Sequence, residues 1–386
     1  MMNIGILTYH FSDNYGALMQ AYALRQWFIS NGVNANFLPY HPSYVEEGGR
    51  LDRPWRLSLW RKNVTILYMR LSHLRRQILG DKAQQIAFEA FRAEHLGISS
   101  PRLSDGASLE AIVRSYDMLV CGSDQIWNPS IQRGLDPVYF LDIPGSEGIR
   151  KVAYAPSFGR SAIEPDYLEE LGRLLSGLDA VSVREASGLA ILDAAGFDKC
   201  SSLVVPDPTI LLGQFDNLLD TDEKLQDENV FCYALRTDEV IRDVAECVAS
   251  IFAAPLYSPR GGRQRWRDIG HGVEPGPVEW LRMLSRSRIV ISNSFHGVAL
   301  SVVLRKPFIA VALPGKRAGM NARVENLLDA VGLAERLIKA VNVEELRRLV
   351  ETPIDWDAAN ARIAGIRSKA EAFLHFQIEA VRRKLS

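Results

Sequence analysis

Short apolar runs rich in β-branched residues alternate along the chain with longer segments of helical period, and polar turns join the two. IGILTY precedes HFSDNYGALMQAYALRQWF, MLVC precedes GSDQIWNP, AVSV precedes REASGLAILDAAG, and RIVIS precedes NSFHGVALSVVL. Apolar runs of this length read as strands buried on both faces. Their alternation with helices predicts α/β architecture with parallel sheets. After the first turn, Leu18, Ala21, Leu24 and Phe28 fall at helical spacing and Asn31-Gly32 supplies a stop signal. A second series begins near Val230 with NVFCYAL and runs through LYSP, RIVIS and PFIAVAL to about residue 340.

A length of 386 residues accommodates two domains. The pattern places an N-terminal Rossmann-like domain over 1–205, with a helical insertion at about 44–110, and a second Rossmann-like domain over 229–355. Between them, 206–228 carries prolines and then a charge-rich stretch, which reads as a connection. The last segment, 356–386, reads as a helix that can pack back on the N-terminal domain.

One segment departs from the alternation. From Arg50 to Arg76 there are eight basic residues against one acid, Asp52, while Trp60, Val64, Leu67, Leu71, Leu74 and Ile78 follow 4-3-4-3-4 spacing. This predicts a basic amphipathic helix. Two readings are open for it: docking on its own domain with a solvated polar face, or peripheral contact with an anionic membrane.

The formal net charge of -1 gives no global attraction to nucleic acid. Without a run of about 18 apolar residues or a basic leader with a cleavage site, the expected location is cytoplasmic, with the inner membrane face as an addition through the basic helix. Cys121, Cys200, Cys232 and Cys247 form no CxxC pair and are expected as buried thiols.

In open parallel sheets, ligands bind beyond the carboxyl ends of strands, where the following helices present unpaired N–H groups. The polar turns are therefore candidate sites. In NSFHG, Asn293 or Ser294 can cap the helix, His296 falls in its first turn, and Gly297 leaves room for a ligand near the backbone. A histidine there can act as an acid when an anion is bound; the competing role is a capping histidine. In SVREASG, Arg184 opens a helix beside Glu185, and arginine suits a helix N-terminus only with an anion or an acid to pair with.

HFSDNYGA offers Asp13, Asn14, Tyr15 and Gly16, and GSDQIWNP offers Gly122, Ser123, Asp124, Gln125, Trp127 and Asn128. Polar groups beside an aromatic suit a sugar, though Asp and Asn are also ordinary turn formers. LPGKRAGMNARVENLL adds Lys316, Arg317 and Arg323 around glycines, as an anion-covering loop or a solvated one. Walker A, GxGxxG, GxSxG and HExxH patterns are absent, so hydrolase readings lose ground.

With these residues assembled, the chain resembles the polysaccharide pyruvyl transferase family from residue 3 to about 336. The resemblance is carried by TYHFSDNYGALMQAYAL, YDMLVCGSDQIWNP, KVAYAPSFG, VSVREASG, VPDPTILL, PVEWLRMLSRSRIVISNSFHG and ARVENLLDAVGL. It implies a GT-B-like arrangement, two Rossmann-like domains facing a cleft. It also implies ketal-forming transfer of pyruvate from phosphoenolpyruvate to a glycan or a lipid-linked sugar acceptor. His296 matches the family's SFHG histidine and Arg184 its helix-opening arginine. The resemblance implies phosphoenolpyruvate as the donor substrate, and the reaction it implies demands neither a metal nor another cofactor. The alternatives are a GT-B glycosyltransferase using a nucleotide sugar and a non-catalytic glycan- or anion-binding regulator. RGGRQRWRDIGHG, residues 260 to 272, falls outside the family pattern.

Overall fold

In the computed structural model, the described residues are all but 1, 47, 49–50, 52–59, 99–101, 133, 199–201, 220–227, 236, 261–267 and 386. Cys200 and most of the 260–272 stretch therefore lie outside the description. The chain divides into two compact units, one of Met1–Val204 with His375–Ser386 and one of Val205–Leu374.

The first unit holds a sheet of β1 (Asn3–Leu7), β2 (Asn34–Phe37), β3 (Met118–Cys121), β4 (Arg150–Ala153), β5 (Ala180–Val183) and β6 (Ser202–Val204). Its order is β2-β1-β3-β4-β5-β6 and every pairing is parallel. The central strands β1 and β3 are nearly continuous buried apolar runs, whereas the edge strands β2 (NANF) and β6 keep exposed positions. Between β1 and β2, the helix Tyr15–Ser30 is buried at every position from Tyr15 to Leu24, so its first turns are enclosed on all sides. It ends at Asn31, and Gly32 follows at φ 72°, the left-handed conformation that glycine adopts without penalty.

The second unit repeats the plan with β7 (Val230–Tyr233), β8 (Leu256–Pro259), β9 (His271–Val273), β10 (Ile289–Ser292), β11 (Phe308–Val311) and β12 (Leu337–Ile338). The order is β12-β11-β10-β7-β8-β9, again parallel throughout. Both units are therefore Rossmann-like α/β folds. Cys121 and Cys232 are buried, whereas Cys247 is only half-buried, in contrast to the expectation of a buried thiol.

Each order contains a switch point, a pair of neighbouring strands whose onward connections run in opposite directions. In the first unit β1 leads outward to β2 while β3 starts the other half of the sheet. In the second, β7 leads to β8 and β10 starts the other half. The loops after such strands diverge and leave a crevice. The turn after β1 is HFSDNYG, the turn after β3 is GSDQIWN, and the turn after β10 is NSFHG.

Two expected boundaries change. The stretch read as a connection from 206 begins inside the second unit, with a helix at Pro208–Leu212. The C-terminal helix Trp356–Leu385 gives its residues up to Leu374 to the second unit and those from His375 to the first.

Candidate active site

At the first unit's switch point the polar residues bond mainly to one another and to the backbone. Gln20 Nε2 donates to Thr8 Oγ1 at 2.9 Å, Thr8 Oγ1 donates to the Ser123 carbonyl at 3.2 Å, and Gln20 Oε1 accepts the Ser123 N–H at 3.2 Å. Ser123 Oγ donates to the Ala155 carbonyl at 2.9 Å. The turns after β1, β3 and β4 are thus tied into one network. A Cβ on Gly122, at φ 128°, would stand 1.9 Å from the Tyr154 carbonyl oxygen, so glycine is required there for close passage of two loops.

Other residues proposed here for a sugar also have structural roles. Asn14 caps the helix Tyr15–Ser30, its Oδ1 accepting the Ala17 N–H at 3.2 Å. Tyr15 is buried against Phe88, with its hydroxyl accepting from Gln84 Nε2 at 3.0 Å, and Gly16 is buried in the same first turn. Trp127 is fully buried, stacked on Phe140 at 4.8 Å and donating to the Tyr139 carbonyl. Neither aromatic offers a face to a sugar, which corrects that part of the sequence reading: at these turns the rings fill the core under the loops.

Asp13 forms an ion pair with Arg92 of the helix Lys82–His95, and Arg92 also donates to the Phe11 carbonyl at 2.8 Å. Asp124 differs. It sits at φ 65°, half-buried, and its carboxylate makes no hydrogen bond or ion pair with the described residues.

Arg184 follows β5, but the helix begins at Ala186, with Glu185 in the capping position. The arginine is buried, with its Nε 3.5 Å from Glu185 Oε2. Glu185 in turn accepts from the Ser157 hydroxyl, and the Ser157 N–H donates to the Asp124 carbonyl at 2.8 Å. Ser157, in APSFG after β4, thereby connects the β3 and β5 turns.

In the second unit, His296 is the second residue of the helix Phe295–Val303 after β10. Ser294 occupies the capping position, but its side chain makes no cap. Its N–H is taken by Ser292 Oγ at 3.1 Å, while Asn293 Oδ1 accepts from Leu235 N–H after β7 at 2.8 Å. Asn293 thus ties together the two strands of the switch point. Gly297 is explained by packing: a Cβ would lie 2.3 Å from Ser292 Oγ and 3.0 Å from Tyr233 Cδ1.

The residue that sequence reasoning missed is Asp207. It caps Pro208–Leu212, with Oδ1 accepting the Thr209 N–H at 3.0 Å and the Thr209 hydroxyl at 2.9 Å. Its other oxygen, Oδ2, stands 3.4 Å from His296 Nε2. Asp207 is fully buried and His296 nearly so. The signal was present as Asp-Pro-Thr, a helix-start pattern, inside a stretch whose prolines suggested a linker.

Arg323 is buried in the helix Ala322–Val331. Just before it, Asn321 clamps Leu313 after β11, accepting its N–H at 2.8 Å and donating to its carbonyl at 3.0 Å. The backbone of Lys316 and Arg317 forms part of a 3-10 helix, Gly315–Met320, and their side chains lie outside the description. Among the described residues, no group of three or more His, Cys, Asp or Glu is gathered to hold a metal ion.

Each unit is thus a parallel Rossmann-like sheet with polar turns at its strand ends. Residues 14–313 match the family model described as polysaccharide pyruvyl transferase, and the chain belongs to that family. No curated protein matches the chain. Among solved structures, it is similar to a UDP-N-acetylglucosamine 2-epimerase from Rickettsia bellii at 10% identity and a TM-score of 0.47, covering 99% of this chain and 98% of that one. It is also similar to the Neisseria meningitidis UDP-GlcNAc 2-epimerase bound to UDP-GlcNAc, at 12% identity and a TM-score of 0.47 over 98% and 100% of the two chains. Arabidopsis thaliana UGT89C1 complexed with UDP gives 11% identity and a TM-score of 0.48 over 99% of each chain. Likeness at this level reaches neither ligand nor reaction.

Proposed function

We propose that the protein transfers pyruvate from phosphoenolpyruvate to two hydroxyls of a sugar, in a cell-surface polysaccharide or its precursor, forming a ketal and releasing phosphate. The observation that carries this reading is the buried His296–Asp207 pair at the end of β10, beside the switch point of a chain in this family.

Ketal formation needs a proton on the methylene carbon of the donor, which leaves a cationic centre at the neighbouring carbon for the first sugar hydroxyl to attack. Loss of phosphate and attack by the second hydroxyl complete the ketal. The two hydroxyl protons balance the one gained by carbon and the one carried off by phosphate. His296 is assigned as the donor of the first proton. Asp207, 3.4 Å from Nε2, is assigned to balance the charge of the ring when it is protonated. Arg184 is assigned to the negative charge of the donor, as a forked guanidinium suits carboxylate or phosphate.

The test is to mix purified protein with phosphoenolpyruvate and a panel of sugars, and to follow acceptor-dependent phosphate release together with a pyruvate ketal on the sugar by mass spectrometry. His296→Gln is expected to retain donor binding and to lower turnover about 10²-fold or more. Donor binding with full turnover in that variant would remove His296 from the chemistry. Binding of a nucleotide sugar with none of phosphoenolpyruvate would replace the proposed reaction by glycosyl transfer.

A further inference from the structure

The helix Trp60–Leu79 carries the 4-3-4-3-4 stripe noted in the sequence, and that stripe faces solvent. Trp60 is 64% exposed, Leu71 65% and Ile78 62%, with Val64, Leu67, Tyr68 and Leu74 also exposed. Asn63 and Ile66 are buried instead. The apolar face is thus turned away from the rest of its unit, contrary to the reading in which this helix docks its apolar side and solvates its polar one. At 100° per residue the six stripe positions fall within an arc of about 80°, along a helix about 30 Å long.

Charge argues for what covers it. The helix sequence contains Arg61, Lys62, Arg70, Arg75 and Arg76 and no acid. Arg70 and Arg75 are exposed and flank the stripe on opposite sides. Val64, Leu71 and Ile78 take one set of core positions of a heptad and Trp60, Leu67 and Leu74 the other, so a second copy could in principle pair along it. In a parallel pair of that kind, however, Arg70 of one helix faces Arg75 of the other, which repels. An anionic surface with an apolar layer beneath its charges meets both features at once. Trp60 and Tyr68 are the amphipathic aromatics suited to such a boundary.

We infer that the exposed face of Trp60–Leu79 is a peripheral membrane-binding surface, lying in the headgroup plane of an anionic bilayer with Trp60, Leu67, Leu71, Leu74 and Ile78 inserted and Arg70 and Arg75 on the headgroups. Among the described residues no helix is long and apolar enough to cross a membrane, and this one does not need to. The surface acts whether or not the proposed reaction is correct.

The experiment is sedimentation of the full chain with vesicles of phosphatidylglycerol mixed into phosphatidylcholine, compared with phosphatidylcholine alone, without any substrate. Binding is expected to the mixed vesicles only and to weaken at high salt. Arg70→Gln and Arg75→Gln should each reduce the partition coefficient about fivefold, and Leu71→Asp with Ile78→Asp should abolish it. These side chains are exposed, so thermal unfolding should not change, and the arginine variants and salt dependence stand if the aspartate variant misfolds. Failure to sediment with mixed vesicles, or equal sedimentation of wild type and all variants, overturns the inference. A dimer in solution that Leu71→Asp dissolves would also overturn it, by assigning the face to a second copy, and so would capture by an acidic protein without vesicle binding.

Discussion

Each unit places a histidine after a strand of its switch point, His10 behind β1 and His296 behind β10. Their surroundings differ in kind. His10 is buried, its Nδ1 2.9 Å from the Thr8 carbonyl, with its ring packed against Phe11 and Phe37. His296 has a buried carboxylate, Asp207, 3.4 Å from its Nε2, and no hydrogen bond to that nitrogen among the described residues. Position at a strand end therefore does not identify a functional histidine. What separates the two is whether the partner is a backbone oxygen that fixes a neutral ring or a carboxylate that can balance a charged one.

The largest expected effect tests the structural half of that contrast. Burial pushes the His10 imidazole down to about 3, with the nearby charges of His41, Arg92 and Arg102 adding to it and the Thr8 carbonyl opposing. The unfolded chain binds this proton first, at its ordinary value near 6.5. The neutral ring's contribution is thus whole above pH 6.5 and is lost as pH falls from there toward 3. Between pH 7 and pH 4.5 the loss should be about 2–3 kcal/mol. Urea denaturation at the two pH values measures it, and His10→Phe should lose less by that amount. Equal losses in both proteins would mean that His10 is charged or solvated in the fold.

Asp207→Asn sharpens the other half. The amide can keep Oδ1 toward Thr209 but cannot balance an imidazolium, so turnover should fall about 10–100-fold with donor affinity little changed. The pH profile of turnover should shift as well, which a merely structural cap would not cause. A variant that loses only stability would reduce Asp207 to the helix cap it also is.

Both sheets and their strand–turn–helix rhythm were legible because buried parallel strands are nearly continuous apolar runs, as MLVC and the IVI of RIVIS are. The position of His296 in a first helical turn was legible for the same reason. The use of each polar side chain was not. Asn14, Ser123 and Asn293 look alike in sequence, and only the three-dimensional path of neighbouring loops decides that each is spent on a backbone group. Asp207 was hidden because it lies 89 positions before His296, as their numbers give, and no local period links them. Trp127 and Tyr15 were misread because an aromatic in a turn carries no mark of which way it points; both point into the core. The stripe of Trp60–Leu79 shows the converse, since its period was plain and its exposure was not.

The smallest expected effect separates a cap from a ligand. Asn14 in the first unit looks as suited to a sugar as any residue at the second unit's turn, yet its Oδ1 is occupied by the Ala17 N–H and the helix it starts is buried through Leu24. Asn14→Ala should cost about 1 kcal/mol in stability, and Asn14→Asp should restore most of it because aspartate caps equally well. Turnover should be unchanged in both when measured well below the unfolding transition. A loss of turnover in Asn14→Ala that Asn14→Asp fails to recover would show that the amide contacts substrate, and the first unit's switch point would then be as much a part of the chemistry as the second's.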